Sequence, residues 1–224
     1  LFDNEEWPYE PVHDRISQFY NVGTNWTNTV TVANSGENGG FSLSFANTDN
    51  KSIVPNSELN RKTINLGLSQ NITDKLVASG NANYSHEANQ NPPQVNAQDF
   101  STATVIMTLA NSMPFEALRN NITHPNGDEV VMARFLVRNN PYYSTSKRFD
   151  NVKRDRLIGN VSLNYQFTPW LYAMGRLSMD FYVRDNDYNT PNGYAPIPPA
   201  PAGFVNGSFT QDTRRFRETN HDFL

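Results

Sequence analysis

A chain of 224 residues with a net charge of −4 and no cysteine has room for one large or two small domains. It excludes a disulfide framework and thiolate metal sites, and its acidic balance gives nucleic-acid binding no support. Apolar residues make up 37% and aromatic residues 12%, a ring-rich, aliphatic-poor mix that suits a two-faced β protein better than a helical one.

Residues 1–23 read as irregular, with Trp7-Pro8-Tyr9 and Pro11 discouraging regular structure and a short helix expected over Asp14 to Tyr20. The first strand is expected at 27–35, with Val30 and Val32 on one face. The turn signal Ser35-Gly36-Glu37-Asn38-Gly39-Gly40 leads to a second strand at 40–50, where Phe41, Leu43 and Phe45 alternate with serines. A polar loop at 51–60 follows. The next hairpin pairs 61–71, carrying Ile64, Leu66 and Leu68, with 75–86, carrying Leu76, Ala78, Gly80, Ala82 and Tyr84.

Residues 87–152 break the strand pattern. One helix is expected there, from Asn96 as N-cap to Ser112, with Phe100, Ala103, Met107 and Ala110 at helical spacing and Pro114 as its stop. The rest reads as an ordered long loop. The clearest hairpin comes next, at 154–167 and 171–186. Leu157, Val161, Leu163, Tyr165 and Phe167 share one parity of its first strand. Leu171, Ala173, Leu177, Met179, Phe181 and Val183 share one parity of its second, opposed by Arg176, Ser178, Asp180 and Arg184. Thr168-Pro169-Trp170 is the turn. A proline-rich loop at 187–213 leads to a last strand at 214–224.

Three connections are therefore short and three are long (51–60, 87–152 and 187–213), in strict alternation. In an antiparallel meander this collects the short turns at one end and the long loops at the other, as outer-membrane barrels do. The expected fold is all-β: an antiparallel up-and-down arc of six to seven strands from a large transmembrane barrel, with one short helix in a long extracellular loop. No apolar run approaches the roughly 20 residues of a spanning helix. The chain opens LFDNEEWPYEP without a start methionine or a signal peptide, and reads as an excerpt of a longer protein.

Three stretches resemble the barrel of SusC/RagA-like TonB-dependent transporters of Bacteroidetes outer membranes. The first is residues 27–85, including the loop SIVPNS and the basic residue after it. The second is NPYYSTSK at 140–147, and the third is RDRLIGNVSLNYQFTPWLYAMGRLSMDFY at 154–182. The chain departs from the family at Asn34-Ser35-Gly36-Glu37, where a Gly-Gly pair is usual; Gly39-Gly40 lies a few residues on. The resemblance implies a barrel of about 22 strands around an N-terminal plug. It further implies a segment that engages TonB, a SusD-like surface lipoprotein as partner, and import of oligosaccharides or peptides across the outer membrane. No plug is visible in this chain, so TonB is expected to act through parts lying outside it.

Candidate residues follow from the faces. Arg176, Asp180 and Arg184 read either as an ion ladder on a water-facing sheet or as lumen residues that touch substrate or plug. Phe167, Trp170 and Tyr172 flank a turn and suit a membrane-interface girdle, or the apolar end of a sandwich. Tyr142, Tyr143, Tyr188 and Tyr194 are assigned to the long loops, where they stack on sugars, contact the lipoprotein, or simply pin the loops. His13, His86, His124 and His221 lack metal-ligand spacing. No catalytic residue, metal or cofactor is expected. The rival reading is a soluble β-sandwich module that binds carbohydrate or protein and buries its apolar parity against a second sheet.

Overall fold

A computed structural model describes residues 6–94, 101–130, 139–195 and 206–224. Its strands are β1 (Thr24–Gly36), β2 (Gly39–Lys51), β3 (Glu58–Thr73), β4 (Leu76–Gln90), β5 (Asp150–Thr168), β6 (Leu171–Thr190) and β7 (Ser208–Phe223). They form one open antiparallel sheet in the order β1-β2-β3-β4-β5-β6-β7. Every expected strand is present, so the chain is an all-β meander.

The strands extend beyond the expected bounds chiefly at the end away from the turns. There the residues are polar on both faces, and apolar alternation gives no signal. The backbone ladder continues regardless, helped by cross-strand polar pairs such as Thr27 with Thr48 at 3.0 Å and Arg61 with Glu87 at 2.6 Å. β6 accordingly runs to Thr190, and β7 begins at Ser208 inside the expected loop 187–213. Glu37-Asn38, Asp74-Lys75 and Pro169-Trp170 are the three short connections. The three long connections, which begin after β2, β4 and β6, lie at the opposite end.

The short helix expected over Asp14 to Tyr20 is α1 (Arg15–Phe19). The single helix expected in the 87–152 loop is corrected to three short ones among the described residues: α2 (Thr102–Thr108), α3 (Phe115–Asn120) and α4 (Pro141–Lys147). α2 is shorter than expected because it is mostly β-branched, which costs side-chain freedom in a helix. The Ser101 hydroxyl caps it by accepting from the Thr104 amide at 3.4 Å. Asn96 and Phe100 lie outside the described residues. Pro114 ends nothing; it stands at the N-cap of α3. Pro141 opens α4, where proline loses no hydrogen bond, and the Asn140 side chain accepts from the Tyr142 amide at 3.0 Å.

The helices make the buried core. Phe19, Val105, Ile106, Phe115, Leu118 and Val130 cluster together, with Trp7, Tyr20, Leu109, Met113 and Tyr142 packed around them. This small cap is tied to the loop end of the sheet by side-chain amides. Asn56 donates to the Thr145 carbonyl at 2.8 Å, Asn91 to the Asn56 carbonyl at 2.8 Å and Asn189 to the Lys147 carbonyl at 3.1 Å.

Candidate functional site

Register decides which side chains share a face. Val30 stands opposite Phe45, Phe45 opposite Ile64, Ile64 opposite Tyr84, Tyr84 opposite Leu157, and Leu157 opposite Phe181. The apolar parities of six strands thus merge into one continuous face. It is not covered: Val161 is 61% and Leu163 51% exposed, and Leu43, Leu66 and Leu177 are also exposed. An uncovered apolar face of this breadth marks a contact surface rather than a water boundary. At its loop-end rim the rings give way to polar groups. There the Tyr84 hydroxyl donates to Asp155 at 2.6 Å, and His86 Nδ1 lies 2.8 Å from the same carboxylate.

β7 breaks the belt. On the side it shares with Leu177, Met179, Phe181 and Val183 it presents His221, Thr219, Arg217 and Arg215. Apolar rings return only at its ends, Phe209 and Phe223.

The opposite face is mostly polar and, toward the turns of β1 to β4, small. Ala33, Ser35, Gly40, Ser42, Gly67, Ser69, Ser79 and Asn81 help line a shallow depression of about 620 Å³ there. Exceptions to the polarity include Ile158 and the Tyr182–Phe216 pair, whose rings stack across β6 and β7 at 5.2 Å with 19° between planes. Nearer the loops one row crosses five strands: Arg61 opposite Glu87, Glu87 opposite Arg154, Arg154 opposite Arg184, Arg184 opposite Arg214.

The three lumen candidates share this polar face but do not form one cluster. Asp180 is held by Arg156 of β5 in a forked pair, 3.0 Å to Nε and 2.6 Å to a terminal nitrogen, not by Arg176 or Arg184. Arg176 approaches Asp222 at 4.0 Å. Arg184 has no acidic partner among the described residues, and both its lateral neighbours are arginines. The remaining members of the row, Arg61, Glu87, Arg154 and Arg214, carry no local sequence signal, because only the pairing register unites them.

The aromatic candidates separate as well. Phe167 lies on the apolar face, against Tyr165 at 4.8 Å. Trp170 is exposed in the turn. Tyr172 pairs with Gln166, which puts it on the polar face away from the expected girdle. Tyr188 is not a loop residue: it lies in β6, between Asp150 and Thr210. Tyr142 and Tyr143 serve the cap. The Tyr142 ring meets Phe19 edge-on at 5.1 Å and lies under Arg119 at 5.5 Å. Hydrogen bonding to that tyrosine raises the Arg119 pKa further. Tyr143 is 1% exposed and donates to the Asn192 carbonyl at 3.2 Å; burial pushes its phenol up to about 12. Tyr194 is half-buried in the segment 191–195.

One group escaped notice in the sequence. Glu129 is buried inside the cap and accepts from Asn139 Nδ2 at 2.6 Å, the Asn140 amide at 2.7 Å and the Ala195 amide at 3.0 Å. It joins the segments on either side of β5 and β6. Burial raises its pKa, and those three hydrogen bonds oppose the rise. A single Glu in a loop gives no sequence sign of such a hub.

No family model matches the chain, and no curated protein matches it in sequence.

Proposed function

We propose that this chain is wall and outside loops of an outer-membrane active transporter, a TonB-dependent importer of the SusC/RagA type carrying oligosaccharides or peptides. One observation carries the reading: a single sheet, apolar and exposed on one face and mostly polar on the other, whose short turns and long loops are segregated to opposite ends. In this reading the apolar face of β1 to β6 meets lipid and the opposite face meets a water-filled interior. The dimensions support it. Leu157 to Phe167 spans ten residue steps, about 33 Å along the strand at about 3.3 Å per residue. A strand tilt of about 40° reduces that to about 25 Å, the height of an outer-membrane barrel's apolar band. The small side chains lining the polar face leave room for a packed plug. The polar outer side of β7 is assigned to contact with protein, because arginine facing the bilayer midplane costs about 2–4 kcal/mol.

Substrate capture falls to the interior face and the loops, with a SusD-like lipoprotein over the loop end. TonB drives transport through regions beyond these strands. The chain has no catalytic task in this scheme.

Because the chain lacks cysteine, single cysteines can be introduced one by one. In the parent protein inserted in lipid, Val161→Cys and Leu163→Cys are expected to resist a water-soluble thiol reagent. Asn160→Cys and Ser162→Cys are expected to react. Equal reaction at both parities, or protection of Val161→Cys in a lipid-free soluble monomer, refutes the proposal; the latter is the outcome for a sandwich module.

A further inference from the structure

Like charges placed directly opposite on neighbouring strands destabilise a sheet. Yet Arg154, Arg184 and Arg214 stand side by side on β5, β6 and β7, on one face and in register. Neighbouring strands are about 4.8 Å apart, so the three side chains arise within about 10 Å of each other. The acids nearby are largely committed. Glu87 is shared between Arg61 and Arg154 at 2.6 Å each, and its side chain is only 13% exposed. Asp212 lies 3.2 Å from Arg214, and Asp180 is forked to Arg156. Arg184 is left in the middle of the row, half-buried, on the polar face of the sheet. The stacked Tyr182–Phe216 pair occupies the adjacent row and walls the site toward the turns.

We propose that Arg184, flanked by Arg154 and Arg214, is a receptor for an oxyanion carried by a small solute: a carboxylate, sulfate or phosphate group. The chemistry fits. A guanidinium presents a planar fork of donors that matches two oxygens of such a group, and an anion bridging the arginines relieves their mutual repulsion. The site itself needs only the sheet's polar face. Its role as a station for an imported anionic solute, such as an acidic sugar, rests on the transporter reading.

The test uses the parent protein folded in detergent, with arginine side chains labelled for NMR, and inorganic sulfate as probe against chloride at equal ionic strength. Saturable sulfate-specific shifts at the Arg184 side chain are expected, with weaker ones at Arg154 and Arg214. Arg184→Gln should weaken binding at least about tenfold, and Arg184→Lys by a smaller factor because the fork is lost while the charge stays. Arg215→Gln makes the same charge change one residue away on the other face and should leave binding unaltered. Absence of saturable shifts, or equal weakening by Arg184→Gln and Arg215→Gln, overturns the proposal. Sulfate binding does not depend on which face meets lipid. A failed cysteine pattern with intact sulfate binding therefore removes the transporter reading alone, and the converse removes the anion site alone.

Discussion

Asn140 has no exposed surface, and its amide does three things at once. Nδ2 donates to the Leu118 carbonyl at 2.8 Å and the Asn121 carbonyl at 3.1 Å, while the side-chain oxygen caps α4. Asn140→Ala removes the side-chain partner of those carbonyls and of the Tyr142 amide in a largely buried site, at a cost of about 2–3 kcal/mol. The expected readout is faster proteolytic nicking within 101–149 with the strand content unchanged. Glu129, next to it, makes the cap pH-dependent. Its folded pKa lies above the unfolded value, so the folded cap holds the proton more tightly than the unfolded chain does. That contribution is complete below the unfolded pKa and is lost as pH rises through the folded one. As pH rises from below the usual glutamate range to above it, amide protection factors in 139–149 should therefore fall, and Glu129→Gln should flatten the trend. Neither residue was legible in the sequence. Asn140 looks like any loop asparagine, and a lone Glu129 shows nothing of the three donors that converge on it from 139, 140 and 195.

At the scale of elements, the hairpins were legible and their ends were not. Alternation in Leu157 to Phe167 and Leu171 to Val183 reports a strand only while one face is apolar. Where both faces become polar, as from Asp185 to Thr190, pairing continues on backbone hydrogen bonds that no composition announces. The β1–β2 turn shows what a turn signal does fix. Gly39 sits at φ 146°, and a Cβ there would meet the Ser69 carbonyl and lie 2.8 Å from the Gln70 Cα on β3. Gly39→Ala should cost about 1–3 kcal/mol, through strain and displacement of β3. A lower denaturation midpoint in detergent checks this, with Gly36→Ala, whose Cβ would make only an ordinary contact 3.9 Å from the Gly39 carbonyl oxygen, as the control. The loop helices were misjudged for a local reason. β-branched residues shorten the helix expected at 96–112, and α3 and α4 show no helical periodicity of their own to read, because such short helices are held by packing around Phe115 and Leu118.

For the whole molecule, the decisive property is that the largest apolar surface is outside and the buried core is a small cap at one end. Such a sheet has two open edges, β1 and β7, and an uncovered face. In plain buffer the isolated chain should self-associate, and detergent should disperse it. Val161→Glu with Leu163→Glu should raise the sedimentation-resistant fraction in buffer and abolish uptake into lipid vesicles. A pair of equal charge on the other face, Asn160→Glu with Ser162→Glu, should do neither.

The sequence by itself determined the strands, their two faces and the alternation of short and long connections, because these follow from local periodicity and turn chemistry. Only the tertiary structure decided what lies beside what. Register joined the apolar parities of β1 to β6 into one exposed face and broke it at β7. It gave Asp180 to Arg156 and aligned Arg154, Arg184 and Arg214. Cross-strand neighbours are tens of residues apart in the chain, so their meeting is set by pairing over the whole sheet and not by any window of sequence.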